Sequence, residues 1–420
     1  MKKKVLLFSL TLALLASLVI VGCGTTETPT GPGAPQQPQQ PQQPTGGPSD
    51  GDGGKVIRLK FADWDPAVSV FCRAFREPWA LAIEDDTNGR VVIDVYGSET
   101  LVKANDLHDA ILTGIADIVL ESPTYTPGRM PLSEIGHLPF LFRSSLIAGL
   151  SMLEAYEGGY FGEDFQDEYL LNWRPNDVYN ITSRTEPILT LEDWQGKKTN
   201  ARGTVEPALY KLFGAVPIAL GPAEVYDALA KGMIDMSCLE WEGQFIWRRY
   251  EVTKYRTDKV DMMIGAATHY AMSQATYDEL PADIQAVFDG YAGTFLTELT
   301  SSNMDRENEW RRTMLEEYDK QVGNPAFNNL PEAERERWKE TAMPVINDYL
   351  DPLEARGLPA RACYDKLVEL SAKYEAMYPP LGDAHLQKML EYGYEAVYPG
   401  WPTTHPEGFE WLYEKTGTTP

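Results

Sequence analysis

The alternation of apolar and polar positions predicts a mixed α/β fold that begins near Lys55. KVIRLKFADW alternates as a strand does, AFREPWALAIEDDTNGR has helical spacing closed by a turn at Asn88-Gly89, and VVIDVYG alternates again. This β–α–β order predicts a mostly parallel sheet covered by helices. Further along, the pattern from Pro281 to about Lys320 predicts one continuous helix, roughly 60 Å long at 1.5 Å per residue.

Two segments of the chain share one pattern. DLHDAILTGIADI, from Asp106, and EVYDALAKGMIDM, from Glu224, lie 118 residues apart and are identical at four of 13 positions. Each copy predicts a helix, a glycine that ends it, a short turn and a strand, followed soon by Glu121 or Glu240. Such junctions also resemble one another by chance. The sharper interpretation is two lobes of similar construction, with both glutamates facing one cleft beyond the strand ends.

The first 54 residues do not have the pattern of a folded domain. Three lysines, an apolar run and small residues before Cys23 predict an export signal over residues 1–22. The letters VIVGC resemble a lipobox, which implies a lipid on Cys23; the alternative is an uncleaved anchor with an incidental cysteine. Residues 23–54 are rich in proline, glutamine and glycine and predict a tether between the lipid and the folded part.

The charge of the chain limits its possible partners, and its cysteines and histidines limit its possible disulfides and metal sites. A formal net charge of −25 argues against nucleic acid and against direct contact with anionic membrane surfaces. An anionic small ligand would then need a local positive site. After Cys23 only Cys72, Cys238 and Cys363 remain, so at most one internal disulfide can form. The histidines are scattered along the chain, no spacing predicts a metal site, and we predict no cofactor.

One cationic segment stands out in this acidic chain. DWQGKKTNARGTVEPALYKLFGA, from Asp193, places Arg202 just before a predicted helix that begins near Val205. Free backbone N–H groups and the helix dipole favour a negative guest there, and a guanidinium can bind a carboxylate through two hydrogen bonds. The alternative is a solvated basic turn that only begins the helix.

The chain resembles the DctP-like solute-binding proteins of tripartite ATP-independent periplasmic (TRAP) transporters from about Ile57 to Tyr374. The resemblance lies in the order and spacing of TNGRVVIDVYGSETL, GIADIVLESPTYTPGRMPLSEIGHLPFLF, LEDWQGKKTNARGT, LGPAEVYDALAKGMID, YEVTKY and ELPADIQAVFDGYA. It implies a periplasmic-binding-protein-like α/β fold with two lobes, a hinged cleft and a long helix spanning both lobes. It also implies binding without catalysis, most often of a carboxylate.

The sequence departs from the family pattern at the ligand clamp. The arginine expected after the Gly196 turn is Asn200 here, and Arg202 follows two residues later. Either Arg202 replaces the clamp, as we expect, or the ligand is not a simple carboxylate. Core packing is the alternative role for the two tryptophans among the candidates. The predicted ligand contacts are Arg202, Asn200, Glu121, Glu240, Trp241, Trp64, Asp65, Tyr125 and Asn180.

These observations predict an exported, lipid-anchored binding protein at the outer face of the cell membrane or in the periplasm. It would deliver an organic acid, sugar acid, amino acid or zwitterion to the small and large membrane subunits of a TRAP permease. The alternatives are a binding protein for an ABC importer or sensor kinase, an exported carbohydrate-active enzyme, and a purely structural lipoprotein. The predicted segments are lobe I at 55–178 and 268–306, lobe II at 179–267 and 307–378, and a C-terminal extension at 379–420.

Overall fold

The computed structural model describes residues 56–378 except 67, 68 and 70. The predicted export signal, the lipidation site at Cys23, the tether and the extension from residue 379 all lie outside the described residues. Cys72, Cys238 and Cys363 are buried free thiols, so the one disulfide that the cysteine count allows does not form between them.

The described part of the chain contains eleven strands and eleven α-helices, together with six short helical turns. The strands are β1 (Ile57–Ala62), β2 (Val91–Tyr96), β3 (Ile118–Glu121), β4 (Glu168–Trp173), β5 (Asn180–Ser183), β6 (Lys198–Ala201), β7 (Val216–Ala219), β8 (Met236–Leu239), β9 (Tyr255–Asp258), β10 (His269–Ser273) and β11 (Asn328–Asn329). The helices are α1 (Glu77–Asp86), α2 (Leu107–Leu112), α3 (Ser145–Glu157), α4 (Val205–Leu212), α5 (Val225–Ala230), α6 (Trp241–Ile246), α7 (Gln274–Glu279), α8 (Ala282–Gly290), α9 (Thr294–Val322), α10 (Glu332–Ala355) and α11 (Ala360–Met377).

The strands form two separate sheets, and we call the parts built on them lobe I and lobe II. Lobe I has the strand order β2-β1-β3-β10-β4, and lobe II has the order β11-β9-β5-β8-β6-β7. Both sheets are mixed, with five parallel and four antiparallel strand pairs, so the expectation of a mostly parallel sheet was correct for the β1–α1–β2 unit and wrong where β10 and β5 pair. β1 runs parallel to β2 and β3, but β10 is antiparallel to both of its neighbours, and β5 is antiparallel to β8 and β9. The exact lobe boundaries stay a prediction.

The repeated segments occupy equivalent places in the two sheets. The predicted order of helix, glycine, short turn and strand is confirmed in each copy: α2 is followed by Gly114 and β3, and α5 by Gly232 and β8. Both glycines have φ near +70°, the left-handed conformation that favours glycine. Asp117 exchanges hydrogen bonds with the backbone of Lys60, and Asp235 does the same with Lys198. The shared aspartate therefore fixes each new strand to its parallel neighbour.

Two apolar cores stabilise the lobes. In lobe I, α1, α2 and α8 cover the sheet around Phe61, Trp79 and Tyr270. The second core packs α4, α10 and α11 against the sheet of lobe II and extends through α3 to Trp173 of β4. Because this second core includes residues from both sheets, the lobes are joined by packed side chains as well as by the chain crossings.

The long helical segment differs from its prediction in one respect. It is divided into α8, which ends at Gly290, and α9, which begins directly after Gly293; the φ of +70° at Gly293 is incompatible with one continuous helix. The prediction of a single helix from Pro281 to Lys320 was therefore wrong. α9 alone has 29 residues, about 43 Å at 1.5 Å per residue. It bonds to lobe I through Thr300 and Asn172 and to lobe II through Arg312 and Asp258, so the prediction of a helix spanning both lobes is confirmed.

Candidate functional site

The predicted ligand contacts lie mostly where strands end and loops begin. In an open α/β sheet this edge is where ligands bind, because the loops there are free to vary. The contributing segments are the loop after β1, the loop after β3, the crossing between β4 and β5, the turn after β6 and the turn after β8. These five segments come from both lobes, and their side chains contact one another across the space between the lobes.

Arg202 lies in the turn between β6 and α4, as predicted, but its backbone N–H, Nε and Nη2 already donate within the protein. Its Nη2 donates to Glu206 Oε1 at 3.0 Å and to the Tyr179 hydroxyl at 2.8 Å. Its backbone N–H donates to Glu206 Oε2 at 2.8 Å. Burial lowers the pKa of Arg202, but the Glu206 carboxylate together with Tyr179 and Tyr125 more than offsets burial, and the net shift is upward. An internal carboxylate thus takes the place predicted for a ligand.

The N-terminus of α4 also has an internal acceptor. Thr204, which precedes the helix, donates its hydroxyl to Glu134 Oε1 at 2.7 Å and its backbone N–H to the same oxygen at 3.4 Å. Gly203 has a φ of +60°, and a Cβ there would lie 3.3 Å from the Cα of Thr124. The loop after β3 therefore approaches the turn after β6 closely enough to require glycine.

Two aromatic residues of lobe I line this approach. The rings of Trp64 and Tyr125 meet edge to face with centroids 5.0 Å apart. Burial raises the pKa of Tyr125, and a hydrogen bond with Arg202 opposes that shift. Trp64 and Tyr125 therefore place an aromatic wall beside the Arg202 group.

Arg249 is the cation that the sequence analysis missed. It is 2% exposed, its Nη1 donates to the Ser237 hydroxyl at 2.8 Å, and its Nε has no hydrogen-bond partner among the described residues. Burial and then the neighbouring Arg202 lower its pKa to about 10. Unlike Arg202, Arg249 has no ion-paired carboxylate within the described part of the chain. A desolvated guanidinium in this state favours an anionic guest.

A chain of polar contacts connects lobe I with the turn after β8. Asp65 forms an ion pair with Arg174, whose Nη1 donates to Asn176 Oδ1 at 3.2 Å. Asn176 in turn donates to Glu240 Oε1 at 2.9 Å. Burial raises the pKa of Glu240 to about 7, and Arg202, Arg174 and Arg249 all oppose that shift. Glu240 Oε2 has no hydrogen-bond partner among the described residues, so this oxygen is available to a donor.

The remaining candidates separate into two kinds. Asn180 and Asn200 are both 2% exposed, and the Oδ1 atom of each has no partner among the described residues. Such buried acceptors are rare without a donor, and a ligand could supply one. Trp241 differs, because its Nε1 donates to Asp258 at 2.9 Å and its ring packs against Phe327 at 4.9 Å. These contacts favour the core-packing alternative for Trp241.

The structure does not place Glu121 with this group. Its contacts lie within lobe I, where Oε1 is 2.9 Å from His108 Nδ1 and accepts from the Thr126 hydroxyl at 3.3 Å. Glu168 and His269 complete the same buried cluster. Burial and the adjacent Glu168 raise the pKa of Glu121 to about 7, while the two carboxylates raise that of His108 to about 10. Two of the histidines that are scattered in sequence therefore meet in space.

Little in the sequence could have identified Arg249 or Arg174. Arg249 follows Arg248 directly, and only the fold buries one and exposes the other. Arg174 follows an apolar strand, and its position beside Asp65 depends on pairing across more than 100 residues. Arg248 has a left-handed φ of 55° directly before Arg249, and the sequence has no glycine or asparagine there to indicate it.

The fold and this group of side chains define a two-lobed solute-binding protein. The chain belongs to the bacterial extracellular solute-binding proteins, family 7, whose DctP model matches residues 61–351. It is therefore an extracytoplasmic binding protein of the TRAP type and not an enzyme, which confirms the family resemblance and the fold class. Within the described residues, no helix is long and apolar enough to span a membrane.

Individual relatives differ in the solutes that their names state. The C4-dicarboxylate-binding periplasmic protein DctP of Rhodobacter capsulatus is 25% identical over 288 residues, which cover 66% of this chain and 82% of that protein. The ectoine-binding periplasmic protein TeaA of Halomonas elongata is 30% identical over 175 residues, covering 40% and 48%. The structure of a TRAP solute-binding protein from Rhodoferax ferrireducens T118, in complex with copurified benzoate, aligns with a TM-score of 0.71 and 22% identity, covering 77% of this chain and 99% of that one.

Proposed function

We propose that the protein captures a small carboxylate-bearing solute between its lobes and delivers it to the small and large membrane subunits of a TRAP permease. Arg249 is the observation that carries this proposal. It is a buried cation without an ion-paired carboxylate among the described residues, in a chain with a net charge of −25. Most other cations near it are paired: Arg202 with Glu206, and Arg174 with Asp65.

A solute carboxylate would supply the charge that Arg249 lacks. Each charge-assisted hydrogen bond contributes about 1.5–3 kcal/mol net, and the low dielectric of a buried site strengthens it. In this proposal Arg202 supports the site. It holds Tyr179 through a hydrogen bond of 2.8 Å and adds positive charge beside Arg249. Arg249 thus takes the clamp role that the sequence assigned to Arg202.

The rest of the solute would carry hydrogen-bond donors. Asn180, Asn200 and Glu240 each have a buried acceptor oxygen without a partner among the described residues. Hydroxyl groups of a sugar acid or hydroxy acid, or the ammonium of an amino acid, would satisfy these oxygens. Trp64 and Tyr125 would cover an apolar or ring portion. The C4-dicarboxylate, ectoine and benzoate in the names of similar proteins are compatible with a carboxylate-bearing solute.

The lipid anchor is a separate part of the proposal and rests on the sequence. The letters VIVGC and the proline-rich segment after them support attachment of Cys23 to the outer face of the cell membrane. Cys23→Ser should move the protein from the membrane fraction to the soluble extracytoplasmic fraction. An unchanged distribution would mean that Cys23 does not carry the anchor.

A thermal-shift screen of the mature protein tests the solute class. The panel contains organic acids, sugar acids, amino acids and zwitterions, each with a neutral amide or alcohol analogue. A ligand at 100 times its dissociation constant stabilises a protein by about 2.7 kcal/mol, which is a readily measured shift. We expect acids to shift the melting temperature and their neutral analogues to fail. Hits confined to neutral or cationic compounds would contradict the proposal and direct attention to Glu240.

A further inference from the structure

A second polar cluster lies in lobe I, apart from the group around Arg249. It is formed by His108 of α2, Glu121 at the end of β3, Glu168 of β4 and His269 of β10. His108 Nδ1 is 2.9 Å from Glu121 Oε1 and 3.3 Å from Glu168 Oε1. One ligand atom from each of these three residues lies within 4.8 Å of the others. His108 and Glu121 from the consecutive elements α2 and β3 thus meet Glu168 from the more distant β4 at one place.

The cluster contains buried atoms that nothing in the described part of the chain satisfies. Glu121 and Glu168 are 1% and 2% exposed, and Glu121 Oε2 and Glu168 Oε1 have no hydrogen-bond partner. His108 Nδ1 is close to both carboxylates, but neither contact is aligned as a hydrogen bond. Two carboxylates and one imidazole therefore meet at a common place, and each has one buried atom there that lacks a well-aligned hydrogen bond.

We propose that His108, Glu121 and Glu168 bind a divalent transition-metal ion, for which Co²⁺ and Zn²⁺ are suitable probes. Ligand atoms at about 2.1 Å from such an ion lie roughly 3.0–3.4 Å apart in octahedral or tetrahedral geometry. The separations of His108 Nδ1 from Glu121 Oε1 and from Glu168 Oε1, 2.9 and 3.3 Å, are close to that range. A mixed imidazole and carboxylate set favours Zn²⁺, Co²⁺, Mn²⁺ or Fe²⁺ over Ca²⁺ and Mg²⁺, which prefer oxygen alone.

His269 has the geometry of a positioning residue for one of these ligands. Its Nδ1 lies 2.9 Å from the carbonyl oxygen of Ala267, and its Nε2 lies 3.3 Å from Glu168 Oε2. The ring therefore holds the far oxygen of Glu168 and leaves Oε1 directed at His108. Outer contacts of this kind orient metal-binding carboxylates and commonly change metal affinity by about 10- to 100-fold.

The cluster also lies next to the loop after β3, and Tyr125 of this loop contacts Arg202 of lobe II. Glu121 accepts a hydrogen bond from Thr126, which follows Tyr125 directly in the sequence. A metal ion at Glu121 would therefore fix the loop that carries Tyr125. The rival explanation is that protonated histidines alone neutralise the two glutamates, with no ion involved.

Metal titration of the full mature chain, stripped with a chelator and dialysed, separates the two explanations. We expect one equivalent of Co²⁺ with a visible absorption band, displaced by Zn²⁺. His108→Ala and Glu168→Gln should each weaken Co²⁺ binding by more than tenfold, and His269→Gln by about 10- to 100-fold. Glu163→Gln, at an exposed position nearby in sequence, should bind as the wild type does.

Two outcomes would overturn the metal site. One is a folded wild-type protein that binds no Co²⁺ or Zn²⁺. The other is binding that persists in both His108→Ala and Glu168→Gln, because the ion would then lie elsewhere. Circular dichroism of each variant shows that it is folded, and His269→Gln retains all three ligands if another variant unfolds. None of these readouts requires a solute, so they are independent of the proposed carboxylate function.

Discussion

Replacement of Arg249 by methionine should remove solute binding without removing stability. Methionine retains much of the apolar volume of arginine but cannot donate to a carboxylate. Arg249 bonds only weakly to its own protein, through one hydrogen bond of 2.8 Å to the Ser237 hydroxyl. The variant therefore loses a cation that the ligand needs and that the ligand-free fold does not.

The magnitudes follow from the structure. Loss of one or two charge-assisted hydrogen bonds costs about 1.5–3 kcal/mol each, which corresponds to at least about a tenfold weaker affinity. The pKa of Arg249 falls from 12.5 to about 10, so the fold disfavours its charge by on the order of 3 kcal/mol. The free energy gained by removing this buried charge offsets the packing and the Ser237 hydrogen bond that are lost in Arg249→Met. We therefore expect the melting temperature of the ligand-free protein to be unchanged or higher.

Calorimetric titration with the best acid from the screen, together with thermal melting without ligand, measures both effects. Arg248→Met is the matched control, because Arg248 is exposed and pairs with Glu251 at the surface. The control should retain the wild-type affinity. Wild-type affinity in Arg249→Met would refute this reasoning, and so would a large loss of stability, which would show that the charge of Arg249 is needed by the fold.

Three further predictions concern the buried groups near Arg249 and the break between α8 and α9. Arg202→Met should destabilise the protein by about 3–5 kcal/mol in urea unfolding, because buried Glu206 then keeps only His137 at 3.6 Å and the backbone N–H of residue 202. Adding Glu206→Gln should recover part of the loss; additive losses would contradict the pairing. Burial raises the pKa of Glu240 to about 7, so the folded protein retains this proton at a pH where the unfolded chain has lost it. Glu240 therefore contributes up to about 3 kcal/mol to the free energy of unfolding below pH 4.5, and this contribution is lost as the pH rises through about 7. Stability measured from pH 5 to 8 should fall less steeply in Glu240→Gln, and an unchanged slope would contradict this. Gly293→Ala should cost about 1–2 kcal/mol because its φ is +70°, whereas Gly290→Ala in α8 should not; equal melting temperatures would contradict the strain.

Local patterns predicted the elements that depend on local physics. The alternation near Ile57 and Val91 produced strands, and the repeat at Asp106 and Glu224 correctly predicted two similar junctions. The break before α9 was missed because Gly293 lies in a helical pattern that continues on both sides. A single glycine does not end a helix by itself, and its left-handed φ depends on the packing around it.

Strand directions and site contacts required the fold. β10 pairs with β3 across about 150 residues, and no local signal specifies that it enters antiparallel. The same limit applied to the site. Arg202 was correctly placed before a helix, but Glu206, one turn later, takes the bonds that were predicted for a ligand. Arg249 and the cluster around His108 could not be found by spacing, because their members come from separate elements.

The most direct test of the central claim measures the coupling between Arg249 and a solute carboxylate. Four dissociation constants are needed: those of wild type and Arg249→Met, each with the best acid and with its neutral amide. We predict that the wild type prefers the acid by at least tenfold and that Arg249→Met loses this preference. An undiminished preference in Arg249→Met, or none in the wild type, would contradict the claim that Arg249 holds the carboxylate.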